Sequence, residues 1–158
     1  MPTELSDVTV VIVDTDAHEL AHLALQETLL RITPAALQVW SNSQLAVPTP
    51  AKCIVEFFPI PRLGDIEGYN RTLWYRVPHL VQTSHFLVVQ WDGWVLDATA
   101  WRPEYLDYDY IGAPWFWHAQ YQVGNGGFSL RSKRLHQYLA EHSEEFPAVF
   151  PEDDRLCR

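Results

Sequence analysis

The chain has 158 residues, 47% of them apolar and 20% charged, enough to bury one core without help from a metal or a disulfide. Its 20 acidic and 11 basic residues give a formal net charge of −9. That balance argues against nucleic acid or anionic lipid as a partner, since the densest cationic group is only Arg131, Lys133 and Arg134. Cys53 and Cys157 make no disulfide framework, and the N-terminus lacks the basic-then-apolar pattern of a signal peptide. No apolar stretch approaches the ~20 residues that span a bilayer. The expectation is one cytoplasmic domain over residues 1–158.

In chain order, Val8 to Val13 is a continuous β-branched run ending at Asp14-Thr15-Asp16, the pattern of a strand buried on both faces. Asp16 is placed to cap a helix from about Ala17 to Arg31. Its wheel sets Leu20, Ala21, Ala24, Leu25 and Thr28 on one arc, and His18, Glu19, His22 and Gln26 on the other. Pro34 lies beyond that helix, and short strands are expected over Leu37–Trp40 and Cys53–Phe58. A helix should begin near Tyr69 or Asn70 and be broken or restarted at Pro78, which has no N–H and crowds the preceding turn. Phe86 to Gln90 and Tyr108 to Ile111 read as further strands. Val123 to Leu130 passes through a glycine cluster, and a helix follows from about Ser132 to Glu145. Strands alternating with helices indicate an α/β fold with a mainly parallel central sheet flanked by helices. Ligands in such sheets bind beyond the carboxyl ends of the strands. That rule selects Asp14-Thr15-Asp16, Ser41-Asn42, Asp92 and the glycine cluster.

Three patterns carry chemistry. His18-Glu19-Leu20-Ala21-His22 matches the H-E-x-x-H zinc motif, with two imidazoles one helical turn apart and a glutamate between them. The extended motif's Gly and third His are replaced by Leu25 and Thr28, and both histidines fall on the polar arc. A solvated helix face therefore explains the match better, with Glu27 or another downstream carboxylate left open as a third ligand. Gln90-Trp91-Asp92-Gly93 places a carboxylate at the end of an apolar strand, where it either holds Mg²⁺ or Mn²⁺ or caps a turn. Gly124-Asn125-Gly126-Gly127 combines an amide that can read sugar hydroxyls with bare backbone on which a ligand can lie. The alternative there is a glycine-rich hairpin. Trp115 and Trp117 offer flat faces for a sugar ring, whereas Trp40, Trp74 and Trp101 read as core.

Gln90 and Asp92, then Tyr108 to Trp115 (Tyr-Asp-Tyr-Ile-Gly-Ala-Pro-Trp), then Gly124 to Arg131 (Gly-Asn-Gly-Gly-Phe-Ser-Leu-Arg), resemble in this order an uncharacterised family of glycosyltransferase-like proteins. Tyr69-Asn70-Arg71 and the first strand and helix are similar to it as well. The resemblance implies a GT-A-like nucleotide-diphospho-sugar transferase fold. It implies nucleotide contacts at Asp14, Thr15 and Asn70, sugar contacts at Trp115, Asn125, Gly126 and Gly127, and a divalent cation on Asp92. It also implies a catalytic base at Asp153 or Glu152, the counterpart of the family's Glu-Asp, deprotonating an acceptor hydroxyl. Gln90 stands where the metal-binding motif has its first carboxylate. Members of the family continue past the Glu-Asp, whereas this sequence stops at Leu156-Cys157-Arg158, so the acceptor side is expected to be incomplete. The expected partners are a nucleotide-sugar donor and a glycan or small-molecule acceptor. Two other functions stay open: a non-catalytic nucleotide-sugar or carbohydrate-binding domain of the same fold, and a zinc peptidase built on His18, Glu19 and His22.

Overall fold

The first strand begins earlier than its apolar run, because the backbone of Thr3–Leu5 pairs with a partner even where the side chains alternate with solvent. In a computed structural model, which describes residues 2–47, 50–115, 123–148 and 153, the elements are β1 (Thr3–Val13), α1 (His18–Leu29), β2 (Ile32–Ser41), β3 (Ile54–Pro59), α2 (Ile66–Arg71), α3 (Val77–Leu80), β4 (His85–Val89), β5 (Tyr110–Pro114), β6 (Val123–Ser132) and α4 (Lys133–Glu141). Six strands form one sheet in the order β3-β2-β1-β4-β6-β5. The pairings among β3, β2, β1 and β4 are parallel, and β6 runs antiparallel to both β4 and β5. The sheet is thus mixed, with a parallel half and an antiparallel edge.

Period-2 alternation explains how the sheet is covered on both sides. Val10, Ile12, Leu87 and Val89 face one way and pack with Ala21, Ala24, Leu25 and Leu29 of α1. Val11, Val13, Phe86 and Val88 face the other, against Leu73, Trp74 and Val77 and against Leu139 of α4. Trp40 and Trp74 are buried as expected, with Trp40 stacked on Phe58 at 4.4 Å between ring centres, while Trp101 is half-buried at the margin.

Several local expectations change. β2 runs through Pro34, and the register of β1 against β2 shifts between Leu5 and Thr9, an irregularity where a residue without an N–H is tolerated. Leu20 is 50% exposed rather than inward, because the small Ala21 and Ala24 are the residues that let α1 approach the sheet. At Pro78 the segment 66–80 restarts, one of the two outcomes expected, with the proline in the first turn of α3. A π-helical turn at Thr72–Arg76 widens the helix just before the proline, relieving the crowding its ring would impose, and α3 continues from there. The final helix ends at Glu141.

Candidate functional site

The chain steps from β1 to β2 to β3 in one direction and then returns to place β4 on the other side of β1. The reversal makes a crevice at the carboxyl ends of β1 and β4, the place where open α/β sheets bind ligands. Two clefts meet there. One, of about 400 Å³, is lined by Asp14, Thr15, Asp16, Leu63, Asp65 and Trp91, among others. The second, of about 420 Å³, is lined by Asn70, Asp92, Asn125, Gly126, Gly127 and Asp153. Ile66, Tyr69 and Gln90 line both. The Gln90 Nε2 donates to the Tyr69 hydroxyl at 2.7 Å, so one hydrogen bond marks the boundary between the clefts.

In the first cleft, Asp14 is buried, and its carboxylate oxygens accept from the Ala17 N–H at 3.0 and 3.3 Å. It, and not Asp16, closes the turn into α1. Burial raises its pKa above the usual carboxylate value, against the lowering effect of the Ala17 hydrogen bond and of His18. Asp16 instead pairs with Arg62 at 2.6 Å. Thr15 Oγ1 accepts from the Leu63 N–H at 3.1 Å, tying the end of β1 to the loop before α2.

In the second cleft, Gln90 and Gly93 exchange backbone hydrogen bonds at 3.2 and 3.1 Å, which puts Trp91 and Asp92 at the tip of a two-residue turn. Asp92 is exposed there and lines the cavity. The glycine cluster is no hairpin. On β5, Gly112 pairs with Ser129 and Ala113 with Asn125, so Gly126 to Phe128 bulge out of β6 toward the cavity. Four side chains hold the bulge. Asn125 Oδ1 accepts from the Gly127 N–H at 3.0 Å, and the Gly126 N–H donates to Asp153 Oδ2 at 2.9 Å. The Gly126 carbonyl accepts from Ser129 Oγ at 2.9 Å and from the guanidinium of Arg131 at 3.2 Å. A Cβ on residue 127 would stand 2.7 Å from Gln90 Oε1, so only glycine leaves room for that side chain as it lies.

Of the expected site residues, Asp92, Asn125, Gly126, Gly127 and Asp153 share one cavity, and Asp14 and Thr15 share the adjoining cleft. Asn70 lies with the first group, not with Asp14 and Thr15. Trp115 is buried, with its ring against Gly124, and lines neither cleft. Glu152 and Trp117 lie outside the described residues. Sequence reasoning missed Arg131, which it grouped only with the neighbouring cations Lys133 and Arg134. The side chain is fully buried, bonded to Ser129 Oγ at 2.8 Å and set over the Tyr110 ring at 5.2 Å. The available signal was period 2: Ser129 and Arg131 lie on the same face of β6. For the zinc motif, His18 Nε2 lies 2.7 Å from Asn42 Oδ1, and Glu27 is paired with Arg31 at 2.7 Å. Among the described residues no group of three or more His, Cys, Asp or Glu side chains is placed to hold a metal. Nor is any helix among them long and apolar enough to cross a membrane.

The model of a family described as "Protein of unknown function (DUF5672)" matches residues 52–155. No curated protein matches the sequence. The fold is similar to the crystal structure of the glycosyltransferase GlyE of Streptococcus pneumoniae TIGR4, with a TM-score of 0.58 at 10% identity. It is also similar to the apo form of the same protein, with a TM-score of 0.55 at 13% identity. In both comparisons 96% of this chain is covered, and it spans 42% of the length of the solved chain. At such identities the likeness is one of fold.

Proposed function

We propose, from the premise that this chain belongs to the DUF5672 family and has a glycosyltransferase-like α/β fold, that it binds a nucleotide-diphospho-sugar and transfers the sugar to an acceptor hydroxyl. The observation that carries the reading is the pair of adjoining clefts at the reversal of strand order, each lined by the residue types one half of such a donor needs. Asp14 and Thr15 would meet the nucleoside. The sugar would lie on the bare backbone of Gly126 and Gly127 beside Asn125. The diphosphate would cross the Tyr69–Gln90 boundary next to Asp92. Hard cations such as Mg²⁺ are held by one or two carboxylates together with substrate phosphates and water. Asp92, exposed where it lines the cavity, fits that pattern, and neutralising the departing diphosphate is the chemistry such a cation supplies. Asp153, oriented by the Gly126 N–H, would take the acceptor's proton. The freed oxygen attacks the anomeric carbon as the bond from that carbon to the phosphate oxygen breaks, and the electron pair leaves with the nucleoside diphosphate.

Thermal unfolding against a panel of nucleotide sugars, with and without Mn²⁺, tests this on wild type and Asp92→Ala. A ligand at a hundred times its Kd stabilises the native state by ~2.7 kcal/mol, which moves Tm by roughly 5–10 °C for a domain of this size. A Mn²⁺-dependent shift with one donor, lost in Asp92→Ala, is the expected result. A cooperative transition that no donor moves refutes the proposal, and donor binding with no transfer to any acceptor or to water leaves a binding domain.

A further inference from the structure

Asn70 is fully buried in α2, and neither its Oδ1 nor its Nδ2 has a hydrogen-bond partner. Such an amide forfeits its bonds to water and receives none from the protein, so a native structure that keeps one needs a reason. The helix itself does not supply it. Asp65 caps α2 through the Gly68 N–H at 2.9 Å, and Thr72 Oγ1 bonds the Gly68 carbonyl at 2.9 Å, so the polar groups on either side are satisfied. Asn70 lies between them and lines the 420 Å³ cavity together with Asn125, Asp92 and the bulge of β6. It does not line the cleft of Asp14 and Thr15.

We infer that Asn70 is a specificity-determining residue that reads hydroxyls of the sugar moiety of a bound donor, and that the ligand-free protein carries its unpaired amide as the cost of that recognition. The inference rests on the donor reading above and places Asn70 on the sugar side of the Tyr69–Gln90 boundary, away from the nucleoside. An amide offers one acceptor and a two-hydrogen donor, which matches adjacent hydroxyls on a pyranose ring, each both donor and acceptor. A phosphate only accepts and would leave the amide oxygen unpaired, and a base edge, which could pair with both atoms, belongs on the donor reading to the other cleft, which Asn70 does not line. Asn125, whose Oδ1 is already engaged by the Gly127 N–H, stands in the same cavity and keeps its NH₂ for the same ring.

The test compares Kd for UDP and GDP with Kd for UDP-glucose, UDP-galactose, UDP-N-acetylglucosamine and GDP-mannose, by calorimetry, in wild type, Asn70→Leu and Asn70→Ala. The wild type is expected to bind one sugar nucleotide about tenfold or more tighter than its diphosphate, the scale of a buried amide finding partners. Both variants should lose that margin and bind the diphosphate unchanged. Asn70→Leu, near in shape and without polar atoms, should unfold at a Tm no lower than ligand-free wild type. A deoxy analogue of the preferred sugar, lacking the hydroxyl that Asn70 reads, should lose the margin in wild type and lose nothing further in Asn70→Ala. Two results overturn the inference while sparing the donor reading: variants that weaken diphosphate and sugar nucleotide alike, or variants that keep the margin. If wild type binds neither diphosphates nor sugar nucleotides, the donor reading falls and this inference with it.

Discussion

Gly112 and Gly127 sit on paired strands, and the structure predicts opposite consequences for the same substitution. In Gly127→Ala the new methyl would stand 2.7 Å from Gln90 Oε1 and 3.4 Å from Asn125 Oδ1. Gln90 Oε1 is the far end of a flexible side chain, so it can swing away at the loss of its bond to Tyr69, a neutral hydrogen bond of ~0.5–1.5 kcal/mol. Alanine in a strand returns about 0.5–1 kcal/mol over glycine, so stability should change by less than about 1 kcal/mol. In Gly112→Ala the methyl would stand 2.6 Å from the backbone carbonyl of Asn125 and 3.0 Å from the Tyr110 ring. Backbone must move there, which costs about 1–3 kcal/mol of overpacking and strains the Tyr110 hydroxyl's bond to the Gly124 carbonyl at 3.0 Å. Urea unfolding should show Gly112→Ala destabilised by about 1–2 kcal/mol and Gly127→Ala nearly unchanged. The same samples, titrated with the preferred nucleotide sugar, should show Gly127→Ala binding about tenfold more weakly, since it displaces Gln90 and adds a methyl to the cavity floor. Equal stability losses in the two variants, or full donor affinity in Gly127→Ala, would refute the close-approach reasoning.

Further expectations follow from other contacts. Ser132 Oγ accepts from the Leu135 N–H at 3.1 Å as the N-cap of α4, so Ser132→Ala should lower stability by ~1 kcal/mol in urea. Burial, and then the Arg131 guanidinium, hold His136 well below the usual imidazole value, against an opposing pull from the Trp74 backbone. A depressed folded-state pKa means neutral His136 stabilises the protein above ~6.5, and that stability drains by up to ~1.4 kcal/mol per unit as pH falls below it. His136→Leu should flatten the stability profile between pH 6.5 and lower values, and an unchanged slope would count against this account. Metal analysis should find no stoichiometric zinc, and His22→Ala should leave metal content as in wild type, because His18 and Glu27 are engaged elsewhere.

The division between what was legible in the sequence and what was not follows from the range of each interaction. The β-branched run at Val8–Val13 and the apolar run at Phe86–Val89 read as strands covered on both faces, so the α/β class was readable, as were the carboxyl ends where Asp14 and Asp92 stand. The joining of Asp92, Asn125 and Gly127 in one motif set was readable too, through resemblance, and the fold places all three on one cavity. Local rules failed where a partner's geometry overrides them. Pro34 is accommodated by a register shift in β1, and Pro78 by a π-turn that no propensity scale announces. Only the tertiary structure decided that β6 runs antiparallel and bulges at Gly126, since pairing partners lie far apart in the chain. It decided likewise that Trp115 packs on Gly124, that Arg131 is interior, and that Asn70 borders the cavity and not the Asp14 cleft. A side chain's type states what it can bond, and a sequence pattern can show which face of an element it occupies. Which of its bonds the fold leaves unmade depends on everything packed around it, and that exists only once the chain has folded.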